Sequence, residues 1–330
     1  MVTITNDTLK FAFPELHPKA KCSIDFQRTL RIPDDNREYG LPPGLGSFPL
    51  LHVEDFPTTT PEAWQQRGGV FLPMYQAEAV WLSFSGGFWG GSYPCAIKIA
   101  AGKINAVSGE PWDEELTTDR QDYITIPEQP WLDGFNVGEG LIRQFVAMPL
   151  GEGFTAEEQI TGKAEFGGIQ ICVYPMKKAI YEELFQKKDN LERSDGEDIC
   201  FSMSIQDCDT VYDMGLAPGG LMKQEIYEDE FGIDVWETEA MSRCFVHLAN
   251  SEQYHAITGH APPTEPPTAK QYTDAGMPWF DYYSADSVAL QGSKKLAQLD
   301  SVAANEIKLG KKVLAENEPV NPTNIVSLGS

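Results

Sequence analysis

The sequence predicts a mainly β fold with a minor helical part: two related antiparallel β-sandwich or barrel-like modules, a central helix and a C-terminal helix. Three observations lead there. Short runs rich in β-branched residues recur along the chain, each closed by proline or glycine. Helical patterning between them is scarce, which argues against a parallel sheet, whose strands need crossover helices. And one phrase is written twice: Asp133 to Val146 reads DGFNVGEGLIRQFV, and 80 residues later Asp213 to Ile226 reads DMGLAPGGLMKQEI.

Residues 1–66 read as an extended arm docked on the core. Its stretch IPDDNREYGLPPGLGSFPL is dense in Pro and Gly, while Phe48, Leu50, Leu51 and Phe56 would be wasted in solvent. TPEAWQQR predicts a short helix with Thr60 as cap and Pro61 at the first helical position. Residues 67–178 form the first β-rich module. VWLSFS alternates, CAIKIAAGKINAVSG outlines a hairpin turning near Gly102, and DYITIP, LIRQFVAMP and GIQICVYP add three strands. A linking helix covers 179–198, with Ile180, Tyr181, Leu184, Phe185 and Leu191 on one stripe. In the second module, 199–263, ICFSMSI, LMKQEIY, IDVWE and CFVHLAN read as strands. Residues 264–330 are a Pro-rich hinge, a helix from about Ser293 to Glu316 carrying Leu296, Leu299, Val302 and Ile307, and a polar tail.

The doubled phrase keeps Asp, Gly, Leu and Gln identical and exchanges Ile142 for Met222, Arg143 for Lys223 and Val146 for Ile226. Each glycine is expected at a strand entrance that needs positive φ. Two related modules explain the repetition; two strands converging by chance is the rival.

Charge narrows the functions. With 49 acidic against 25 basic residues, the 330-residue chain carries a formal −24, which opposes nucleic acid and anionic membrane surfaces and favours cationic partners. No apolar run reaches the ~18–20 residues of a membrane span. The amino terminus lacks the basic leader and apolar core of an export signal. Six scattered cysteines without a CxxC pair fit reduced thiols, so a cytoplasmic location is expected.

Pro-Trp followed by Asp occurs at Trp112, Trp131 and Trp279. A ring beside a carboxylate invites a sugar or cation; a tryptophan that seals the core edge before a capped turn is the plainer account. Cys244, His247, His255 and His260 have zinc-ligand chemistry, but on a strand Cys244 and His247 face opposite ways, so no metal is expected. Asp195-Gly196 lacks the remaining ligands of a calcium loop. GEGLIR departs from a dinucleotide fingerprint at Arg143, and GGFWGGS lacks the Lys-Ser/Thr of a phosphate loop. No cofactor is expected.

FQRTLRIPDDNREYGLPPGLGSFPL, GGVFLPMYQAEAVWLSF, QDYITIPEQPWLDG, LIRQFVAMPLGEGFTAEEQITG and MGLAPGGLMKQEIY together resemble an uncharacterised family of bacterial and fungal proteins. The resemblance runs from about Phe26 to Asp281 and brings no activity, cofactor or catalytic residue. Some relatives carry an integral-membrane label, which the missing span contradicts here.

Two functional readings follow. The first is a non-catalytic protein acting in binding or self-assembly with a protein partner. The second is a carbohydrate-binding or carbohydrate-active protein with a cleft between the modules, Trp131, Asp133 and Arg143 on one wall and Asp213 and Lys223 on the other. Gln144, Gln224, Trp279 and Asp281 complete the candidate ligand set.

Overall fold

The computed structural model describes residues 1–85, 93–117, 120–185, 213–262, 267–283, 287–313 and 319–329. Its first surprise is the amino-terminal segment, which is sheet rather than a docked arm. Val2–Thr5 (β1), Thr8–Ala12 (β2) and Lys21–Thr29 (β3) run antiparallel, followed by the short Glu38–Tyr39 (β4), Gly44–Ser47 (β5) and Leu51–His52 (β6). The reason is visible in β3. Cys22, Ile24 and Phe26 are buried, while Ser23, Asp25 and Gln27 between them are half-buried, the period of two of a strand with one face on a core. The Pro- and Gly-rich composition that suggested an arm is confined to the stretch after β3.

The chain continues through Val70–Pro73 (β7), Ala79–Ser85 (β8), Cys95–Ala101 (β9), Ile104–Asn105 (β10), Ile124–Ile126 (β11), Trp131–Leu132 (β12) and Gly134–Gly138 (β13). Leu141–Pro149 (β14), Ile169–Pro175 (β15), Met214–Lys223 (β16) and Ser242–Ala249 (β17) complete the main system. Hydrogen bonding orders one layer as β1-β2-β3-β8-β14-β16. A second layer runs β7-β17-β15-β9, with β7 parallel to β17 and the other pairs antiparallel. The layers join where Met214 of β16 meets Leu248 of β17. Phe11, Ile24, Phe26, Leu82 and Phe145 from the first layer share one core with Ile97, Ile171 and Val246 from the second. Burying each such side chain contributes about 1.5–3 kcal/mol.

The helices are short and close the outer faces. Glu62–Arg67 (α1) begins one residue later than the sequence suggested: Pro61 is its cap position, and the Thr60 hydroxyl donates to the Phe56 carbonyl instead. Ala156–Thr161 (α2) starts at a reciprocal Thr155–Glu158 capping box. Of the linking helix, Lys178–Phe185 (α3) lies within the described residues; its remainder and the run ICFSMSI fall outside them. Ser251–Thr258 (α4), capped by Asn250, packs with α1 over β7 and β17, where Trp64, Phe71, Tyr254 and Ile257 form a second apolar cluster. Ala269–Asp274 (α5) precedes Trp279–Tyr283 (β18). The expected C-terminal helix is two pieces, Lys294–Ala297 (α6) and Val302–Lys308 (α7), because the Ser301 side chain accepts from Ala304 and restarts the helix. The tail is not featureless: Ile325–Gly329 (β19) pairs in parallel with β18 as a separate small sheet. IDVWE is a 3₁₀ turn, Ile233–Val235. Among the described residues no helix is long and apolar enough to cross a membrane.

The doubled phrase has a geometric answer, and it is not two modules. Its two copies are neighbours: Leu141 pairs with Lys223, Ile142 with Met222 and Arg143 with Leu221. Exchanging each residue for its counterpart in the other copy reproduces the same three pairs, so a local two-fold axis passes through Ile142 and Met222. The glutamines obey it. Gln144 accepts from the Ile32 N–H at 3.0 Å and donates to the Leu30 carbonyl at 2.8 Å. Gln224 accepts from the Asp133 N–H at 3.0 Å and donates to the Trp131 carbonyl at 3.4 Å. Each amide thus substitutes for a strand edge, engaging residue k and residue k−2 of an extended neighbour. The glycines do not obey it. Gly140 has φ +67° at the β13–β14 turn, as expected, whereas a Cβ on Gly220 would lie 2.4 Å from the Pro33 carbonyl oxygen. Close approach, not backbone freedom, demands the second one.

Gln144→Leu strands two buried backbone groups and is expected to lower stability by about 2–5 kcal/mol. The control change Lys223→Ala, at an exposed position, should stay within about 0.5 kcal/mol. Urea unfolding of both variants checks the pair.

Candidate functional site

The outer face of β17 presents Phe245 and His247 on the same side, two residues apart. His247 lies stacked between Trp64, 4.5 Å away with planes at 19°, and Phe245, 4.4 Å away at 20°. Its Nε2 sits 3.0 Å from the Gly68 carbonyl oxygen. Burial first, and then the nearby Arg67 charge, push the imidazole down to about 3, against the opposing pull of the Gly68 bond. The ring is therefore a neutral member of the stack at neutral pH.

Arg67, the last residue of α1, extends the column. Its guanidinium carbon is 5.5 Å from the Phe245 ring and 5.1 Å from the Phe166 ring, and it donates to the carbonyls of Phe166 and Glu165 at 3.1 and 2.8 Å. Lys103 caps the far side with its ammonium 4.5 Å from the Phe166 ring. Trp64, His247 and Phe245 thus stack ring on ring, and Arg67, Phe166 and Lys103 continue the column as cation, ring and cation, contacts favoured by the negative ring faces.

Three buried polar side chains position this line. Glu157 accepts from the backbone N–H groups of Glu165, Phe166 and Gly167 at 2.9, 2.8 and 2.8 Å, which shapes the loop that carries Phe166. Gln170 of β15 accepts from the Lys103 N–H at 2.6 Å and donates to the Gly167 carbonyl at 2.9 Å. Lys98 of β9, only 1% exposed, reaches Asp113 at 2.6 Å, Asp122 at 2.7 Å and the Glu115 carbonyl at 2.5 Å. It ties the loop that carries Trp112 and Glu114 onto the sheet; a buried ammonium is tolerable only with such partners. Burial pushes the Asp122 carboxyl up despite Lys98.

Together these parts surround a cleft of about 740 Å³, lined among others by Arg67, Lys103, Trp112, Phe166, Arg243 and Phe245. Arg243 is ion-paired with Glu114 at the rim, and Glu54 stands in the wall. Lys103 has no carboxylate partner among the described residues. Chemically, the cleft offers fixed positive charge and flat apolar walls.

None of the nine predicted ligand residues lines it. Asp133 is buried beneath Gln224, which donates to its carboxylate at 2.8 Å. Arg143 donates to the Gly219 carbonyl at 3.0 Å and lies 3.6 Å from the Asp34 carboxylate. Gln144 and Gln224 serve the clamps described above. Asp213 accepts from Gln253, and Lys223 is exposed. Trp279 is core, packed on Tyr39 and Tyr272, with the half-buried Asp281 near Gly40. Trp131 sits half-buried against Trp81 and Tyr282. The opposing wall of Asp213 and Lys223 does not form, because the two phrases pair edge to edge instead of facing each other. Of the four weak metal candidates, Cys244 points into the core and His247 outward, while His255 and His260 are exposed.

The cleft residues were missed because their order in the chain carries no spacing signal: they come from separate segments spread between Val2 and Phe245. One clue stood in the hairpin turn. Lys103, beside Gly102 in CAIKIAAGKINAVSG, has φ +60° and so projects from a tight turn. No protein-family model matches the chain, and no curated protein or solved structure is similar to it.

Asp133 generates a pH test. Burial pushes its carboxyl up to about 7, only partly offset by the Gln224 bond. The unfolded carboxyl ionises near 3.9. The stability this group supplies is therefore complete below about pH 4 and is lost as pH rises to 7. Asp133→Asn should match the parent near pH 4 and exceed it at pH 8 by roughly 4 kcal/mol. Urea midpoints that shift equally at both pH values would refute this.

Proposed function

We propose that this protein acts by binding, and that its ligand is a small molecule carrying a carboxylate or phosphate on a flat apolar body, held in the outer-face cleft. One observation carries the reading: in a chain of net charge −24, Arg67, Lys103 and Arg243 converge on a single aromatic-walled cleft. Cations set between flat rings match an anion carried on an apolar body, and concave sites with a few convergent polar groups are the usual ligand sites. Arg67 uses two of its five donors on backbone carbonyls, which fixes its plane and leaves donors for an anion. Phe166, Phe245 and Trp112 supply the flat surface on which the ligand body lies. The protein's overall negative field slows anion approach, so affinity depends on contact geometry instead of long-range steering.

The expected result is measurable by calorimetry with aromatic carboxylates, aryl phosphates and nucleoside monophosphates. At least one class should bind, weaken with added salt, and lose about tenfold or more in affinity on Lys103→Glu, a change of about 1.4 kcal/mol or more. Lys103 is chosen because, among the described residues, the contact of its ammonium is with the Phe166 ring and not with a carboxylate. A panel without a binder, or a binder indifferent to Lys103→Glu, counts against the cleft.

A further inference from the structure

A second surface has the composition of a recognition site and lies on the other layer. On the outer face of β3 and β8, alternation places Asp25, Gln27, Trp81 and Ser83 side by side: Asp25 pairs with Ser83 and Gln27 with Trp81. Across the next edge Trp131 of β12 pairs with Ser83, so it shares that face. Trp81 and Trp131 stand nearly perpendicular, 76° apart with centroids at 6.3 Å, and Tyr282 tilts against Trp131 at 4.7 Å and 60°. All six side chains are half-buried. They form an aromatic corner opening onto a strip of hydroxyl, amide and carboxylate groups.

We infer that this corner binds a neutral pyranose-type carbohydrate. The C–H face of a sugar ring carries positive polarisation and packs on the negative face of an aromatic ring. One tryptophan plane can lie under the ring while the perpendicular one closes its side. The strip beside them holds the donors and acceptors that ring hydroxyls require. Gln27 and Asp25 are already oriented, the first by donating to the Ser47 hydroxyl at 2.8 Å and the second by accepting from the Thr8 hydroxyl at 2.5 Å, which lowers the ordering cost of binding. The indole N–H of Trp81 is buried and has no hydrogen-bond partner among the described residues, and such groups call for one. Charge selects the ligand class. The strip carries the Asp25 carboxylate, and Lys10 on the adjoining strand shares its face, in register with Ser23. It offers neither the cations of the outer-face cleft nor a strong negative field, so it suits an uncharged polyol and not the anion proposed for that cleft.

The test is a glycan array with the full chain, followed by tryptophan-fluorescence titration of each hit. Binding by neutral oligosaccharides is expected, at least about tenfold weaker in Trp131→Ala and in Gln27→Ala, with Lys103→Glu leaving it unchanged. If Trp131→Ala lowers the melting temperature, Ser83→Arg obstructs the face without removing a buried contact and should abolish binding. An array without neutral-glycan binding overturns the inference, and so does binding that survives Ser83→Arg or is lost only on Lys103→Glu.

Discussion

Two side-chain amides set by a local two-fold axis hold the first layer in place. Gln144 grips the chain leaving β3, and Gln224 grips the chain between β12 and β13. The β14–β16 register shifts between Arg143 and Phe145, and at that point the Gln144 amide, not a strand, meets the chain leaving β3. A buried backbone group left unpaired costs about 1–3 kcal/mol, so the amides are obligatory and not ornamental. The same device recurs nearby. Gln129 engages the Tyr227 N–H and Glu225 carbonyl, and Gln121 the Asp229 N–H and Tyr227 carbonyl. A segment with no strand assigned to it is thereby held like one.

Buried charge does comparable work on the second layer. Glu157 organises a loop through three N–H donors, and Lys98 fastens another through two carboxylates and a carbonyl. On the first layer Arg28, packed over Phe48, meets Glu78, whose other oxygen accepts from Tyr75. Such pairs add little net stability over apolar packing. What they contribute is placement: loops that would otherwise drift are fixed against the sheets, and the aromatic and cationic walls stand on those loops. Exposed pairs such as Lys163–Glu165 have no such consequence, being screened by water.

Much of the strand pattern was legible. LIRQFVAMP, GIQICVYP, CAIKIAA and CFVHLAN coincide with β14, β15, β9 and β17 within a residue or two, because β-branched runs between prolines and glycines have few other conformations. KCSIDFQ showed the same alternation, but the Pro-rich stretch behind it drew the whole segment into an arm. The predicted C-terminal helix failed for a local reason, since Ser301 caps a new helix where the apolar spacing suggested continuity. The candidate site was the least legible part. Asp133 and Arg143 looked reactive because they are charged and close in sequence, yet one is buried under an amide and the other held by Asp34 and the Gly219 carbonyl.

By itself, then, the sequence determined which stretches extend, which residues face inward, and that one phrase is repeated, all consequences of short-range sterics and a period of two. Which strands meet was decided only in three dimensions, since pairing joins residues some 80 positions apart and leaves no periodic trace between them. The same holds for the cationic column and the tryptophan corner. Their members share no spacing, and only strand pairing and loop placement on one face of each layer bring them together.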